Sequence, residues 1–163
     1  GITQGKSKKS KILATRMCEI VVNDKFVISE EVKVAYNAEN NNKFISRDDI
    51  KILKLKEEIF LTLLMNHLET IWSNPNFQVS EFGHKLGLSN SQFYRKLKQL
   101  TGKSPSIFLR DFRLNRAMVM LYYKKGNITQ ISGKTGFNTP AYFSKCFKNT
   151  FKILPSKYLQ QHT

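Results

Sequence analysis

The sequence predicts a mainly α-helical protein: two helix-turn-helix subdomains joined by a long connecting helix, preceded by a short irregular or β-hairpin N-terminal segment. An internal repeat is the first reason. Val79, Phe82, Gly87 and Leu88 recur as Ile128, Ile131, Gly136 and Phe137 at an offset of 49, and Phe93, Lys98, Pro105, Ser106 and Leu109 recur as Phe143, Lys148, Pro155, Ser156 and Leu159 at an offset of 50. The second turn thus holds one extra residue, and the absence of a third copy makes this a pair and not a solenoid. Helical periodicity is the second reason, with apolar residues at i, i+3, i+4 and i+7 through most of the chain after Asp48. Charge asymmetry is the third. Residues 76–163 carry 15 Lys/Arg against only Glu81 and Asp111, a net +13, whereas residues 1–75 carry 12 against 10, a net +2, which together make the +15 of the chain.

In chain order, residues 1–45 read as an N-terminal tail and linker region. The first eleven are polar and basic. Between Met17 and Tyr36 the runs EIVV, KFVIS and VKVAY are β-branched and partly alternating, the pattern of a hairpin, with a helix over 12–22 as the rival reading. AENNNKFIS is a linker. Residues 46–75 read as a leading helix or two abutting ones, started by Ser46 with Asp49 three residues on. Ile52, Leu55, Ile59, Leu63, Leu64, Leu68 and Ile71 give this segment its apolar stripe, and Asn74-Pro75 ends it. Its first half could form a dimer seam or a lead from an upstream domain. Gly1 stands where an initiator Met would, so the natural chain is expected to continue upstream.

Residues 76–163 form the main domain. In the first helix-turn-helix, 79–102, Val79, Phe82 and Leu86 point inward, Gly87 adopts the left-handed conformation that closes a helix, and Leu88 packs back. Ser89 or Asn90 caps the next helix, whose Phe93, Leu97 and Leu100 face the core. A connecting helix over 105–125 begins at a proline and carries apolar groups, among them Ile107, Phe108, Phe112 and Leu121, around much of its circumference, so it packs on both units. The second helix-turn-helix spans 128–152 and a terminal helix 155–161.

A half whose net charge is +13 attracts polyanions, because neutralising each phosphate releases counterions. Catalysis is not expected. His67, His84 and His162 stand apart from one another and from any nucleophile, and the glycines fall at turns and not in a phosphate loop. Cys18 and Cys146 are lone thiols without metal-ligand spacing, so no metal or other cofactor is expected, and a reduced, cytoplasmic setting is. No apolar run reaches the ~20 residues that span a bilayer, so no membrane contact is expected within this segment.

Four stretches, LGLSNSQFYRKLKQLTGKSP, FLRDFRLNRA, ITQISGKTGF and YFSKCFKNTFKILPSKYL, resemble in order and spacing the DNA-binding domain of AraC/XylS-family transcription regulators. The segment from Asn74 to Pro105 is especially similar to the output domains of hybrid two-component regulators. Two departures stand out: Lys152 where the family has glycine after the second recognition helix, and Ser132 where alanine is common. The resemblance implies a sequence-specific double-stranded DNA-binding transcription regulator, with RNA polymerase as a further candidate partner. An RNA-binding or protein-interaction module without sequence readout is the alternative. On the outward faces, Asn90, Ser91, Tyr94 and Arg95 of the first recognition helix and Pro140, Ala141, Ser144 and Lys145 of the second are the expected base contacts, Arg95 foremost because a guanidinium binds guanine bidentately. Lys98, Lys148, Asn127 and Thr129 are the expected phosphate contacts. Arg116 and Tyr142 are left open between DNA contact and an internal role.

Overall fold

The computed structural model describes residues 26–29, 34 and 50–161. Strands β1 (Phe26–Ser29) and β2 (Ile50–Leu53) pair in parallel, with Phe26 opposite Ile50 and Ser29 opposite Leu53. β1 falls within the run KFVIS, and its described partner lies 24 residues further on; the rest of the expected hairpin over 17–36, the rival helix over 12–22 and the expected helix start at Ser46 lie outside the described residues. One expectation is corrected. Ile50–Leu53 falls in the expected leading helix, yet it is a strand, in which two β-branched isoleucines two residues apart share one face.

The leading helix, α1, therefore runs Leu55–Ile71, and the amide of Lys54 donates to the Glu57 carboxylate at 3.0 Å at its start. Phe60, Leu61, Leu64, Met65 and Leu68 are its buried face. Leu55, Ile59 and Leu63, counted in the apolar stripe from sequence, instead lie on the opposite face at 71%, 49% and 51% exposure.

The first helix-turn-helix comprises α2 (Glu81–Lys85) and α3 (Asn90–Thr101), and the second α5 (Ile128–Lys134) and α6 (Pro140–Phe151). Both turns close in the same way. Gly87 (φ 66°) and Gly136 (φ 76°) are left-handed; the Leu88 amide donates to Gly83 O at 2.8 Å, and the Phe137 amide to Ser132 O at 3.1 Å. These six-to-one bonds, with the Gly87 and Gly136 amides donating to His84 O and Gly133 O, satisfy carbonyls that a helix end leaves orphaned. Leu88 and Phe137 then pack on their respective cores, as expected.

The connecting helix α4 runs Pro105–Tyr122, with Ser104 as N-cap. It stops three residues short of the expected Lys125 because Lys124 turns left-handed (φ 51°) and the Lys125 amide reaches back to Met120 O at 2.9 Å. Its first half contributes Phe108, Leu109 and Phe112 to a cluster with α1, α2 and α3; its second half contributes Leu114, Ala117 and Leu121 to a separate cluster with α5 and α6. Ile107, expected to pack, is 40% exposed. The terminal helix α7 (Pro155–Gln161) lies against α4 and α6.

Gly83 and Ser132 are equivalent positions whose neighbours differ. A Cβ at Gly83 would sit 2.8 Å from the carbonyl oxygen of Leu88, whereas Ser132 carries its Cβ and buries a hydroxyl that has no protein partner among the described residues. Gly83→Ala is expected to destabilise by about 1–3 kcal/mol through overpacking, and Ser132→Ala to stabilise by about 1 kcal/mol by removing an unsatisfied group. Chemical denaturation of both variants checks the opposite signs.

His67 sits edge-on to the rings of Phe77 and Phe82, and its Nε2 is buried without a protein partner among the described residues. Burial first, then the charge of Lys85, lowers its pKa from 6.5, against a smaller opposing effect of Glu81. Below about 6.5 the unfolded chain binds a proton that the folded chain refuses, so stability falls as pH drops from 6.5 and levels off below the lowered pKa. His67→Phe should flatten that part of the melting-temperature profile; an unchanged slope would locate the titration elsewhere.

Candidate nucleic-acid interface

Two 12-residue helices, α3 and α6, present the candidate surface, and the chain fixes each at both ends. At α3, Ser89 is the cap: its Oγ accepts from the Gln92 amide at 3.3 Å while Gln92 Oε1 accepts from the Ser89 amide at 2.9 Å. This reciprocal pair settles the choice between Ser89 and Asn90, and it engages the Gln92 side chain in the cap. At α6, Thr139 Oγ1 accepts from the Tyr142 amide at 3.2 Å, and proline fills the first helical position. Both helices end on a left-handed residue, Gly102 (φ 71°) and Lys152 (φ 61°).

With their ends matched, the two helices hold Phe93, Leu97 and Leu100, and Phe143 and Phe147, at 0–2% exposure. The opposite faces are then fixed by helical geometry. Asn90, Ser91, Tyr94, Arg95 and Lys98 share one face of α3 and all are exposed. The corresponding α6 positions are Pro140, Ala141, Lys145 and Lys148, exposed, and Ser144, half-buried. Neither face contains an acid. The Lys98 ammonium lies 6.0 Å over the Tyr94 ring, so an expected phosphate contact and an expected base contact touch each other. Lys96, on the flank, is drawn 4.5 Å over Phe60 of α1.

Asn127 and Thr129 lie elsewhere, at the start of α5. Asn127 is its cap: Oδ1 accepts from the Gln130 amide at 2.9 Å, and the Asn127 amide donates to Gln130 Oε1 at 3.0 Å. The Asn127 and Gln130 amides are therefore engaged within the cap, while Thr129 is exposed.

The connecting helix carries three arginines at spacing three, and none of them faces outward freely. Arg110 pairs with Asp111 at 3.2 Å, Arg113 donates to the carbonyls of Trp72 and Asn74 at 2.7 and 2.6 Å, and Arg116 pairs with Glu69 and lies 5.1 Å over Phe112. Arg116 is thereby internal. Tyr142 is 54% exposed; the neighbouring Cys146, one turn on in the same helix, raises its pKa, while the smaller influence of Arg110 of α4 lowers it. Sequence reasoning missed Arg113 altogether. Its partners are main-chain carbonyls about forty residues away, for which no side-chain pattern is a signal. Among the described residues no group of His, Cys, Asp or Glu could hold a metal, and no helix is long and apolar enough to cross a membrane.

The family described as "Helix-turn-helix domain" matches residues 83–161. "Histidine kinase P4" of Formosa agariphila is 36% identical over 124 residues, 76% of this chain but 9% of that protein. "HTH-type transcriptional activator RhaS" of Mannheimia succiniciproducens is 35% identical over 88 residues, 52% of this chain and 33% of that protein. The chain thus spans a third or less of these curated relatives. A solved transcriptional regulator from Chromobacterium violaceum, described as an AraC-type DNA-binding domain-containing protein, superposes with a TM-score of 0.61 at 27% identity, over 68% of this chain and 97% of that one.

Inside the matched span, Lys152 keeps the left-handed geometry of Gly102 despite its side chain, and its Nζ donates to Asn149 O at 2.8 Å at the helix end. A side chain in this conformation costs about 1–2 kcal/mol, partly offset by the cation at a helix C-terminus. The expected stability order is therefore Lys152→Gly above the parent and Lys152→Ala below it, read from thermal midpoints.

Proposed function

We propose that this chain, whose C-terminal half belongs to the AraC/XylS family of helix-turn-helix DNA-binding domains, is a sequence-specific reader of double-stranded DNA that regulates transcription by laying α3 and α6 into successive major grooves. The observation that carries this is the pair of matched faces: two helices of equal length, each capped at its start and closed by a left-handed residue, with faces free of acids, on a half with a net charge of +13. A second fold-independent argument agrees. The 18 residues of α4 make a rod of about 27 Å, and neighbouring major grooves on one side of B-DNA are about 34 Å apart; bending the DNA toward the protein closes the difference. One chain then spans two half-sites that need not be palindromic.

In the first half-site, Arg95 is assigned to guanine O6 and N7, with Asn90, Ser91 and Tyr94 beside it; in the second, Pro140 and Ala141 are assigned to a thymine methyl, with Ser144 and Lys145 beside them. Lys98 and Lys148 take phosphates, as does Thr129, with Asn127 acting chiefly as the cap that orders α5. The likeness to a stretch of "Histidine kinase P4" supports an output role within a longer, cytoplasmic signalling protein. RNA polymerase and a second copy of the chain are the further partners this reading admits, the copy through the outer face of α1.

Binding to the selected operator is expected to weaken with salt at a log–log slope of roughly −5 to −7, for six to eight phosphates. Arg95→Ala should lose about 1–3 kcal/mol and relax preference at one base pair, whereas Lys98→Ala should weaken all sequences alike and lower the slope by about 1. The α6 half-site should tolerate more substitutions, since that face has fewer strong donors. Randomised-site selection with salt titration measures all three; a slope near zero, or equal affinity for structured RNA at matched salt, would defeat the reading.

A further inference from the structure

The two left-handed glycines of the turns are equivalent in conformation but not in surroundings. A Cβ built at Gly87 would meet nothing within 4 Å. At Gly136 it would lie 2.9 Å from both Cζ and Nε of Arg113 and 2.9 Å from the carbonyl oxygen of Trp72. Turn geometry accounts for glycine at both positions, yet only Gly136 is also a point of contact between units. The backbone of the second turn is pressed against the guanidinium–carbonyl pair.

That pair is itself a bridge. Trp72 and Asn74 follow the end of α1, where carbonyls lack helical partners and the helix dipole favours a cation. Arg113 supplies two donors from one rigid plane, Nε to Trp72 O and Nη2 to Asn74 O, across 41 and 39 residues of sequence. Its guanidinium is half-buried. A lysine there would keep the charge but could not reproduce the fork. Each recognition helix is packed into its own hydrophobic cluster, and α4 contributes side chains to both clusters. Arg113 and Gly136 sit at the seam, joining the end of α1, the middle of α4 and the turn that launches α6.

We propose that Arg113 and Gly136 form a positioning joint that sets the spacing and phase of the two half-sites by fixing the second recognition helix against the first. The assignment rests on the DNA-reading function proposed above. Removing or adding one base pair between half-sites shifts the second by about 3.4 Å and about 34°. A rigid joint makes the chain reject such a shift, because the second contact no longer adds to the first once geometry forbids simultaneous engagement.

The test uses the full 163-residue chain, its selected operator, a spacer series one base pair shorter and one and two longer, and each half-site alone. The parent is expected to lose at least about tenfold in affinity per base pair of spacer change. Arg113→Lys should bind isolated half-sites as the parent does, bind the full operator about tenfold more weakly, and discriminate spacers less than about threefold, with an unaltered salt slope. Gly136→Ala should behave alike, while Gly87→Ala, which bears the same backbone strain without the contact, should lose melting temperature but keep the parent's spacer preference. Spin labels on the exposed Gln99 and Thr150, with both native cysteines replaced, should show a broadened distance distribution in Arg113→Lys and Gly136→Ala and not in Gly87→Ala. Parental spacer discrimination in folded Arg113→Lys overturns the joint, as do an unbroadened distribution, equal behaviour of the two glycine variants, or failure of both seam variants to fold. Failure of the parent to bind any DNA specifically would instead overturn the reading on which the joint rests.

Discussion

A single helix has to complete two hydrophobic cores. The first half of α4 turns Phe108, Leu109 and Phe112 toward one cluster, and the second half turns Leu114, Ala117 and Leu121 toward another. Leu114, Ala117 and Leu121 are fully buried, so α4 cannot rotate to improve one core without opening the other. Its remaining surface is narrow, and the stripe Arg110, Arg113, Arg116 lies within it, engaging α1, the loop behind α1 and its own neighbour Asp111. The positions of both recognition helices follow from that one constraint, since each is packed on its own end of the same rod.

The parts of the fold that could be read from sequence are those that local chemistry dictates. Gly87 and Gly136 announced their turns because a left-handed residue is needed there, and the apolar stripes of α3 and α6 were unambiguous over 12 residues each. The leading helix was misjudged for a physical reason: Ile52, Leu55, Ile59 and Leu63 fit a helical period, but Ile50 and Ile52 fit one face of a strand equally well, and burial of Phe60, Leu64 and Leu68 puts Ile59 and Leu63 on the outside. Period alone does not say which of two apolar stripes faces the core. The recognition faces were legible for the same reason as the cores, being their complement. Asn127 was not, because a polar residue near a helix start serves a cap or a ligand with the same atoms, and only the geometry shows which.

Comparison of the two copies separates what the unit requires from what it tolerates. Both need the six-to-one bond at the turn and a left-handed residue after the reading helix. Glycine meets the second need in one copy, and lysine in the other by adding a bond to Asn149 O. Gly83 and Ser132 show the converse: the same site is too tight for a Cβ in one copy and admits a hydroxymethyl group in the other. The cap differs too: Gln92 closes a reciprocal bond with Ser89, whereas Tyr142 in its place gives its amide to Thr139 and sets its ring 6.1 Å from that of Phe137.

The acceptors that hold Arg113 are main-chain oxygens, and this has an evolutionary consequence. Substitution of Trp72 or Asn74 changes a side chain but leaves its carbonyl in place, so the bridge has few residues through which mutation can break it. Arg116 and Glu69, by contrast, are a bridge with two mutable ends. The exposed positions of α3 and α6 touch neither. Sequence drift can therefore rewrite the reading faces one residue at a time, each variant inheriting the same frame, and new targets become reachable without passing through a misfolded intermediate.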